Sequence, residues 1–237
     1  MENSYQIGER LLKEVSLLDY KPKLLLHACC APCSTYPLSK LKDLFDITLY
    51  YNNSNIYPFS EFDRRLNELI KFLEEFNKEY NVDIKLIVPE YKNEEFNKRL
   101  EFAKDEPEKG KRCKFCYAYR LQEGYKYAFE NDYDYFSTVM TISGQKDEKA
   151  LNKIGRVLEN IYPKVKFIEH NFKKQNGQLK SLELSKKYNL YRQTYCGCKF
   201  SIENQNKILK TKNDGSTIKW VCRTKYDYDK WVCCNYD

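Results

Sequence analysis

The stretch LLLHACCAPCS, residues 24–34, places an apolar run directly before three cysteines. A short run of this kind predicts a buried β-strand over 23–27, and the residues from Ser34 onward predict a helix. The cysteines therefore fall at the carboxyl end of the first predicted strand, where open α/β sheets form their sites. Three thiols within five positions are typical of a soft-metal centre rather than of a core.

Strand and helix patterns alternate along most of the remaining chain. Further strands are predicted at residues 47–52, 84–88, 135–142 and 165–169, with helical periodicity between them. This alternation predicts an α/β fold with a Rossmann-like, doubly wound, mainly parallel sheet, whose cysteine-bearing loops lie at the carboxyl ends of the strands. We expect one metal-binding catalytic domain over residues 1–210. Residues 211–237, which hold both tryptophans and three cysteines, are predicted to form a C-terminal extension.

The composition limits the class of protein. Hydrophobic residues make up 42% of the 237, so general disorder is excluded, and a net charge of +7 favours a polyanionic partner. The first twenty residues lack the continuous apolar core of a secretory signal, and no stretch approaches a membrane span. A cytoplasmic protein with no membrane partner is expected. Its ten cysteines are then metal ligands or catalytic groups rather than disulfides.

Seven of the cysteines form three groups, each at a predicted junction between elements. The groups are Cys29-Cys30-x-x-Cys33, Cys113-x-x-Cys116 and Cys196-x-Cys198. Four thiolates suit zinc or a [4Fe–4S] cluster, and seven suit a cluster beside a second metal held by three thiolates. An iron–sulfur centre is favoured, with structural zinc and a thiol redox pair as alternatives. His27 is a candidate proton donor beside the cysteines, or else a buried histidine with a structural role.

Five ordered segments carry a resemblance to a known family. They are LLHACCAPCS (residues 25–34), YNNSNIYP (51–58), RCKFCYAYRL (112–121), FSTVMTIS (136–143) and LYRQTYCGCKFS (190–201). Together they resemble the epoxyqueuosine reductases of the QueH type. The resemblance implies an oxidoreductase that reduces epoxyqueuosine to queuosine at the wobble position of tRNA, the last step of queuosine biosynthesis. The implied tRNA carries a GUN-type anticodon, and an external donor supplies the electrons.

The resemblance also implies two metal sites. By motif, Cys29, Cys30, Cys113 and Cys116 match the ligands of a [4Fe–4S] cluster. The matching ligands of an adjacent mononuclear iron, for which zinc is the alternative, are Cys33, Cys196 and Cys198. Some relatives have Asp at the position of Cys33. These last three cysteines and His27 are the predicted catalytic residues, the second metal acting as a Lewis acid and His27 or a tyrosine supplying protons.

Binding of tRNA requires a basic surface near the cysteines. Residues 173–200 contain seven Lys or Arg and a single acid, Glu183, and lead directly into Cys196. The residues predicted to contact tRNA are Lys186, Lys187, Tyr191, Arg192 and Lys199. Two other functions remain open: a zinc-stabilised RNA-binding module, and a cluster-dependent tRNA sulfur transferase. The transferase would need an ATP phosphate loop, and no such motif is present.

Overall fold

The computed structural model describes residues 2–193 and 195–203. Five parallel strands form one sheet: β1 (Lys23–His27), β2 (Asp46–Tyr50), β3 (Lys85–Ile87), β4 (Tyr135–Thr138) and β5 (Lys166–Phe167). The helices around it are α1 (Ser4–Val15), α2 (Ala31–Leu41), α3 (Phe59–Tyr80), α4 (Asn93–Leu100), α5 (Lys111–Glu130), α6 (Glu148–Ile161) and α7 (Gly177–Lys187). The predicted α/β class with a parallel sheet is confirmed. The predicted extension, residues 211–237, lies outside the described residues.

The sheet order places the first cysteine group at the centre of the fold. The order is β3-β2-β1-β4-β5, so the chain builds outward from β1 in one direction and then returns to build in the other. Leu25 of β1 pairs with Thr48 of β2 on one side and with Phe136 of β4 on the other. The carboxyl end of β1 is therefore a topological switch point, where neighbouring loops diverge and leave a crevice.

The strand core is apolar because β1 is covered on both faces. Leu24, Leu25 and Leu26 are fully buried, as expected for a central strand of a parallel sheet. Helix α3 contributes a buried stripe at helical spacing, which includes Leu69, Phe72 and Phe76. The 3.6-residue pattern of this helix and the continuous apolar run of β1 are thus satisfied by the same layered packing.

Several predicted boundaries are wrong. Helix α2 begins at Ala31 rather than at Ser34, because Pro32 is well suited to a first helical turn; Cys33 therefore lies inside the helix. Strand β4 ends at Thr138, whose hydroxyl accepts a hydrogen bond from the Met140 amide and begins a 3₁₀ turn over Val139–Ile142. Strand β2 spans Asp46–Tyr50 rather than the predicted residues 47–52, and β5 covers only Lys166–Phe167 of the predicted residues 165–169.

Candidate metal and active site

The first cysteine group lies on the turn between β1 and α2. The sulfur atoms of Cys29, Cys30 and Cys33 all lie within 4.8 Å of one another, and those of Cys29 and Cys30 are 3.8 Å apart. Thiolates bound at about 2.3 Å to one tetrahedral metal ion lie about 3.8 Å apart, so this spacing fits a shared metal. Hydrogen bonds from the Cys29 and Cys33 thiols hold the pKa of Cys30 well below its usual range.

Backbone contacts fix this turn from three sides. The Ala28 amide donates to the Tyr50 carbonyl at 2.9 Å, which extends the β1–β2 pairing past the end of β1. The Asn53 amide group donates to the Ala28 carbonyl at 2.9 Å, and the Ser34 hydroxyl donates to the Cys30 carbonyl at 2.9 Å. The positions of the thiols are therefore set by the sheet edge and by the first turn of α2.

The second cysteine group lies at the start of α5. Cys113 and Cys116 are one helical turn apart and so share a face of the helix. The Lys109 amide donates to the Cys113 sulfur at 3.2 Å, which ties the preceding loop to the thiol. Burial raises the pKa of Cys113 to about 11 and also raises that of Cys116. A bound metal would offset that cost of ionisation, because it stabilises the thiolate form.

The third group lies on a loop held against the segment after β2. Cys198 forms an antiparallel bridge with Ile56, and the Tyr57 amide donates to the Gly197 carbonyl at 2.8 Å. The Ser201 amide donates to the Cys198 sulfur at 3.3 Å. A hydrogen bond from the Cys198 thiol, with the nearby Lys146 ammonium, lowers the pKa of Cys196 well below its usual range.

Two adjoining cavities join the three groups. The larger, of about 650 Å³, is lined by Cys29, Cys33 and Cys196. The smaller is lined by the cysteine pair of α5 and by Cys196 and Cys198. The structure therefore brings all seven predicted cysteines to one region at the carboxyl edge of the sheet, although Cys30 lies behind Cys29 and does not line either cavity.

His27 is fully buried just behind the thiols. Its Nδ1 is 2.9 Å from the Thr138 hydroxyl, and its Nε2 is 3.2 Å from the Arg120 guanidinium. Arginine only donates, so Nε2 accepts and Nδ1 carries the proton. Burial, together with the Arg120 charge, lowers the pKa of His27 well below its usual range, so the ring is neutral. The acid role of His27 stays a prediction, and its contacts are those of a residue that positions Arg120.

Sequence reasoning missed Arg120 and Lys146. Both line the two cavities. Arg120 is almost fully buried and donates to the Asn52 carbonyl at 3.0 Å and to the Asn53 side chain. Burial opposes the charge of Lys146, but the negative charge of nearby thiolates, above all Cys196, raises the pKa of Lys146. Arg120 lies within the quoted segment 112–121, but nothing in that segment assigned it a role, and Lys146 is one of 41 Lys and Arg.

The predicted tRNA-contacting residues lie along α7 and the loop that follows it. Lys186 is exposed, whereas Lys187 forms an ion pair with Glu79. Arg192 is exposed and lines the larger cavity, and Tyr191 packs under the Arg64 guanidinium at 3.5 Å. Lys199 is exposed and lies 4.0 Å from Glu203. Of these five residues, Arg192 is therefore the one that reaches the larger cavity.

Comparison with known sequences identifies the family. The family model described as "Epoxyqueuosine reductase QueH" matches residues 24–204. The chain belongs to the epoxyqueuosine reductase QueH family. A QueH protein of Streptococcus pyogenes is 37% identical over 91% of this chain and 85% of its own length. QueH proteins of Staphylococcus epidermidis and Thermotoga maritima are 41% and 32% identical, covering 81% and 76% of this chain and 82% and 90% of their own. The predicted oxidoreductase class is therefore confirmed.

A solved structure shares the fold of this QueH-family chain. It is the U34-tRNA thiolase NcsA from Methanococcus maripaludis with its [4Fe–4S] cluster, and the TM-score is 0.50. The two sequences are 14% identical, and the alignment covers 97% of this chain and 87% of the thiolase.

In the described part of the chain, no helix combines the length and apolar character that a membrane crossing requires.

Proposed function

We propose that the chain reduces epoxyqueuosine to queuosine at the wobble position of a tRNA with a GUN-type anticodon. The observation that carries the proposal is the convergence of six thiols on two cavities, with Cys30 adjacent to Cys29, in a chain that matches the QueH family over residues 24–204. The net reaction consumes two electrons and two protons, breaks both carbon–oxygen bonds of the epoxide, forms an alkene and releases water. An external donor supplies the electrons, and the tRNA substrate implies a cytoplasmic reaction.

The larger cavity suits a nucleobase that is turned out of the anticodon. Its volume of about 650 Å³ falls within the range of small-molecule sites. Two buried acceptors that line it, Asn55 Oδ1 and Gln193 Oε1, and one buried donor, Arg65 Nη2, lack a protein partner among the described residues. The Watson–Crick edge of a guanine-type base offers two donors and one acceptor, which complements that set.

The thiols fit the two predicted metal groups. In this proposal Cys29, Cys30, Cys113 and Cys116 hold a [4Fe–4S] cluster, which supplies electrons when bound. The second iron is held by Cys33, Cys196 and Cys198. The close spacing of Cys29, Cys30 and Cys33 also suits a single ion, and Cys196 lines both cavities. The division of the thiols between the two metals is therefore the point that the experiment must resolve.

Charged side chains of the chain itself prepare the site for this reaction. Arg120 and Lys146 place two positive charges at the junction of the cavities, where they offset the negative charge of the thiolates. His27 and Asn53 hold Arg120 in place. Arg192, which lines the larger cavity, and the lysines of α7 would contact the phosphates of the anticodon stem-loop.

The decisive experiment separates the two metals. Cys198→Ser should keep the cluster's visible absorbance and the affinity for tRNA, yet lose the second iron and almost all turnover, because a protonated hydroxyl is a poor ligand for a soft metal. Cys113→Ala should lose the visible absorbance and the turnover together. Iron content, visible and EPR spectra, tRNA affinity and turnover are measured on the same anaerobic preparations. Colourless protein with one zinc per chain would instead support the RNA-binding module.

A further inference from the structure

Helix α3 holds the chain that leads into the third cysteine group. The Tyr191 amide donates to Glu68 at 2.7 Å, and the Tyr191 hydroxyl lies 3.4 Å from Glu61. The Arg64 guanidinium covers the Tyr191 ring. Three residues of one face of α3 therefore contact Tyr191, and a fourth residue of that face, Arg65, reaches the cysteine loop itself.

The Arg65 guanidinium lies between α3 and the loop. Only 3% of Arg65 is exposed. Its Nε donates to Glu61 at 2.7 Å, one turn earlier in the helix, and its Nη1 donates to the Cys196 carbonyl at 3.1 Å. The pair with Glu61 neutralises the buried charge and orients the plane of the guanidinium. The second hydrogen bond fixes the backbone of a predicted metal ligand.

Gly197 is shaped to this contact. Its φ of +91° is a conformation that residues with side chains rarely adopt, and a Cβ on it would lie 2.7 Å from Arg65 Nη2. The guanidinium thus occupies the space that a side chain would need. The loop between Cys196 and Cys198 and the Arg65 side chain fit together as one unit, and Arg65 also lines the larger cavity.

We propose that Arg65 is a positioning residue for the Cys196–Cys198 thiol pair. Through the Cys196 carbonyl and the space above Gly197, it sets the direction of the two sulfur atoms and thereby the affinity of the second metal. Groups that orient metal ligands commonly change metal affinity or activity by about 10–100-fold when they are removed. The proposal rests on the proposed function for the second metal and for the turnover measurement.

Arg65→Lys is the informative variant. Lysine keeps the charge next to Glu61, but it lacks the planar fork that contacts Glu61 and the Cys196 carbonyl at once. We expect chelator competition to show about 10–100-fold weaker binding of the second iron, and turnover to fall with the loss of that metal. The visible absorbance of the cluster should stay at its wild-type value. Gly197→Ala should give the same pattern, because the added methyl group would push the loop away from the Arg65 guanidinium.

The matched control is Arg99→Lys. Arg99 forms the same kind of pair, with Glu95 one turn earlier, on the exposed surface of α4. The Arg99→Lys protein should bind both metals as the wild type does. Wild-type affinity for the second iron in Arg65→Lys would overturn the proposal, and so would equal loss of both metals together with a lowered thermal midpoint, which indicates a general structural role.

A second measurement does not depend on the reaction. The holoprotein is treated with iodoacetamide, and alkylation of Cys196 and Cys198 is followed by mass spectrometry. Faster alkylation of this pair in Arg65→Lys than in the wild type supports the proposal, and equal rates overturn it. If the wild type fails to reduce epoxyqueuosine, the proposed function is wrong, but the alkylation rates still decide the role of Arg65.

Discussion

Among the described thiols, only Cys196 lines both cavities. Its surroundings show how single residues define this site. Its carbonyl is held by Arg65, and its sulfur lies near Lys146 and Cys198. Buried thiols ionise only when a positive charge, a donor or a metal compensates the lost hydration. At the scale of the residue, the site depends as much on the cations around the sulfur atoms as on the sulfur atoms themselves.

Lys146→Met tests the role of the missed lysine. Removing a positive charge beside a redox centre stabilises its oxidised form, so the reduction potential of the holoprotein should become more negative. Turnover should fall because reduction is harder. An EPR-monitored redox titration measures the potential, and Lys149→Met, an exposed lysine in the next helix, is the control. An unchanged potential would mean that Lys146 does not act on the cluster.

His27→Ala tests the structural role of the buried ring. The substitution removes one buried hydrogen-bond partner from Arg120 and one from Thr138, which costs about 1–3 kcal/mol. For a domain of this size, that cost lowers the thermal midpoint by roughly 2–12 °C. The exposed substitution Leu17→Ala should leave the midpoint unchanged. The predicted acid role is tested separately by measuring turnover well below the midpoint, where the variant is folded. If His27 is the acid, turnover falls there as well.

At the scale of the element, α1 is attached to the sheet by a polar cluster. Glu9 lies 2.8 Å from His170 Nε2, after β5, and 2.9 Å from Lys40 of α2. The hydrogen bond from His170, followed by the contacts with Lys40, lowers the pKa of Glu9 from 4.5 to about 2. Because the folded-state pKa is the lower one, the ionised carboxylate stabilises the fold above pH 4.5, and this contribution disappears as the pH falls towards 2.

Glu9→Gln should remove that pH-dependent contribution. The thermal midpoint of the variant should lie below that of the wild type at pH 6, and the difference should shrink as the pH is lowered through the window between 4.5 and 2. Glu14→Gln, on the same helix and paired at the surface with Arg10, is the control and should show little difference at any pH. A difference for Glu9→Gln that does not vary with pH would contradict this account.

At the scale of the whole molecule, the sheet order gathers segments that are far apart in sequence. The β1–α2 turn and the loops after β2 and β4 meet at the switch point beside β1. The start of α5 and the Cys196–Cys198 loop close the same region from one side. The region that holds all seven cysteines therefore lies within the part of the chain that matches the QueH family.

Removal of residues 211–237 tests whether the predicted C-terminal extension contributes to the metal sites. The family match ends at residue 204, and the seven predicted ligands all precede it. The truncated protein should retain the iron content, visible spectrum and turnover of the full chain. A truncated protein that folds, as judged by circular dichroism, but has lost iron would assign a ligand role to Cys222, Cys233 or Cys234.

The sequence alone determined the alternation of strands and helices, the burial of the first apolar run and, through the resemblance of five segments, the family. Local patterns suffice for these because side-chain periodicity and chain reversals report which face is buried. It also indicated the seven cysteines, since thiols in short-range groups are rare outside metal and redox sites. Boundaries were less well predicted: Thr138 ends β4 through one hydroxyl contact that no periodicity reveals.

Only the tertiary structure decided which residues meet around those thiols. Arg65, Arg120 and Lys146 come from three separate segments and carry no local signature among so many cations. The same holds for His27, where the sequence left a catalytic and a structural reading open and the fold added the buried contact with Arg120. The physical reason is that burial and charge compensation are properties of the assembled site, because they depend on contacts between residues far apart in the chain.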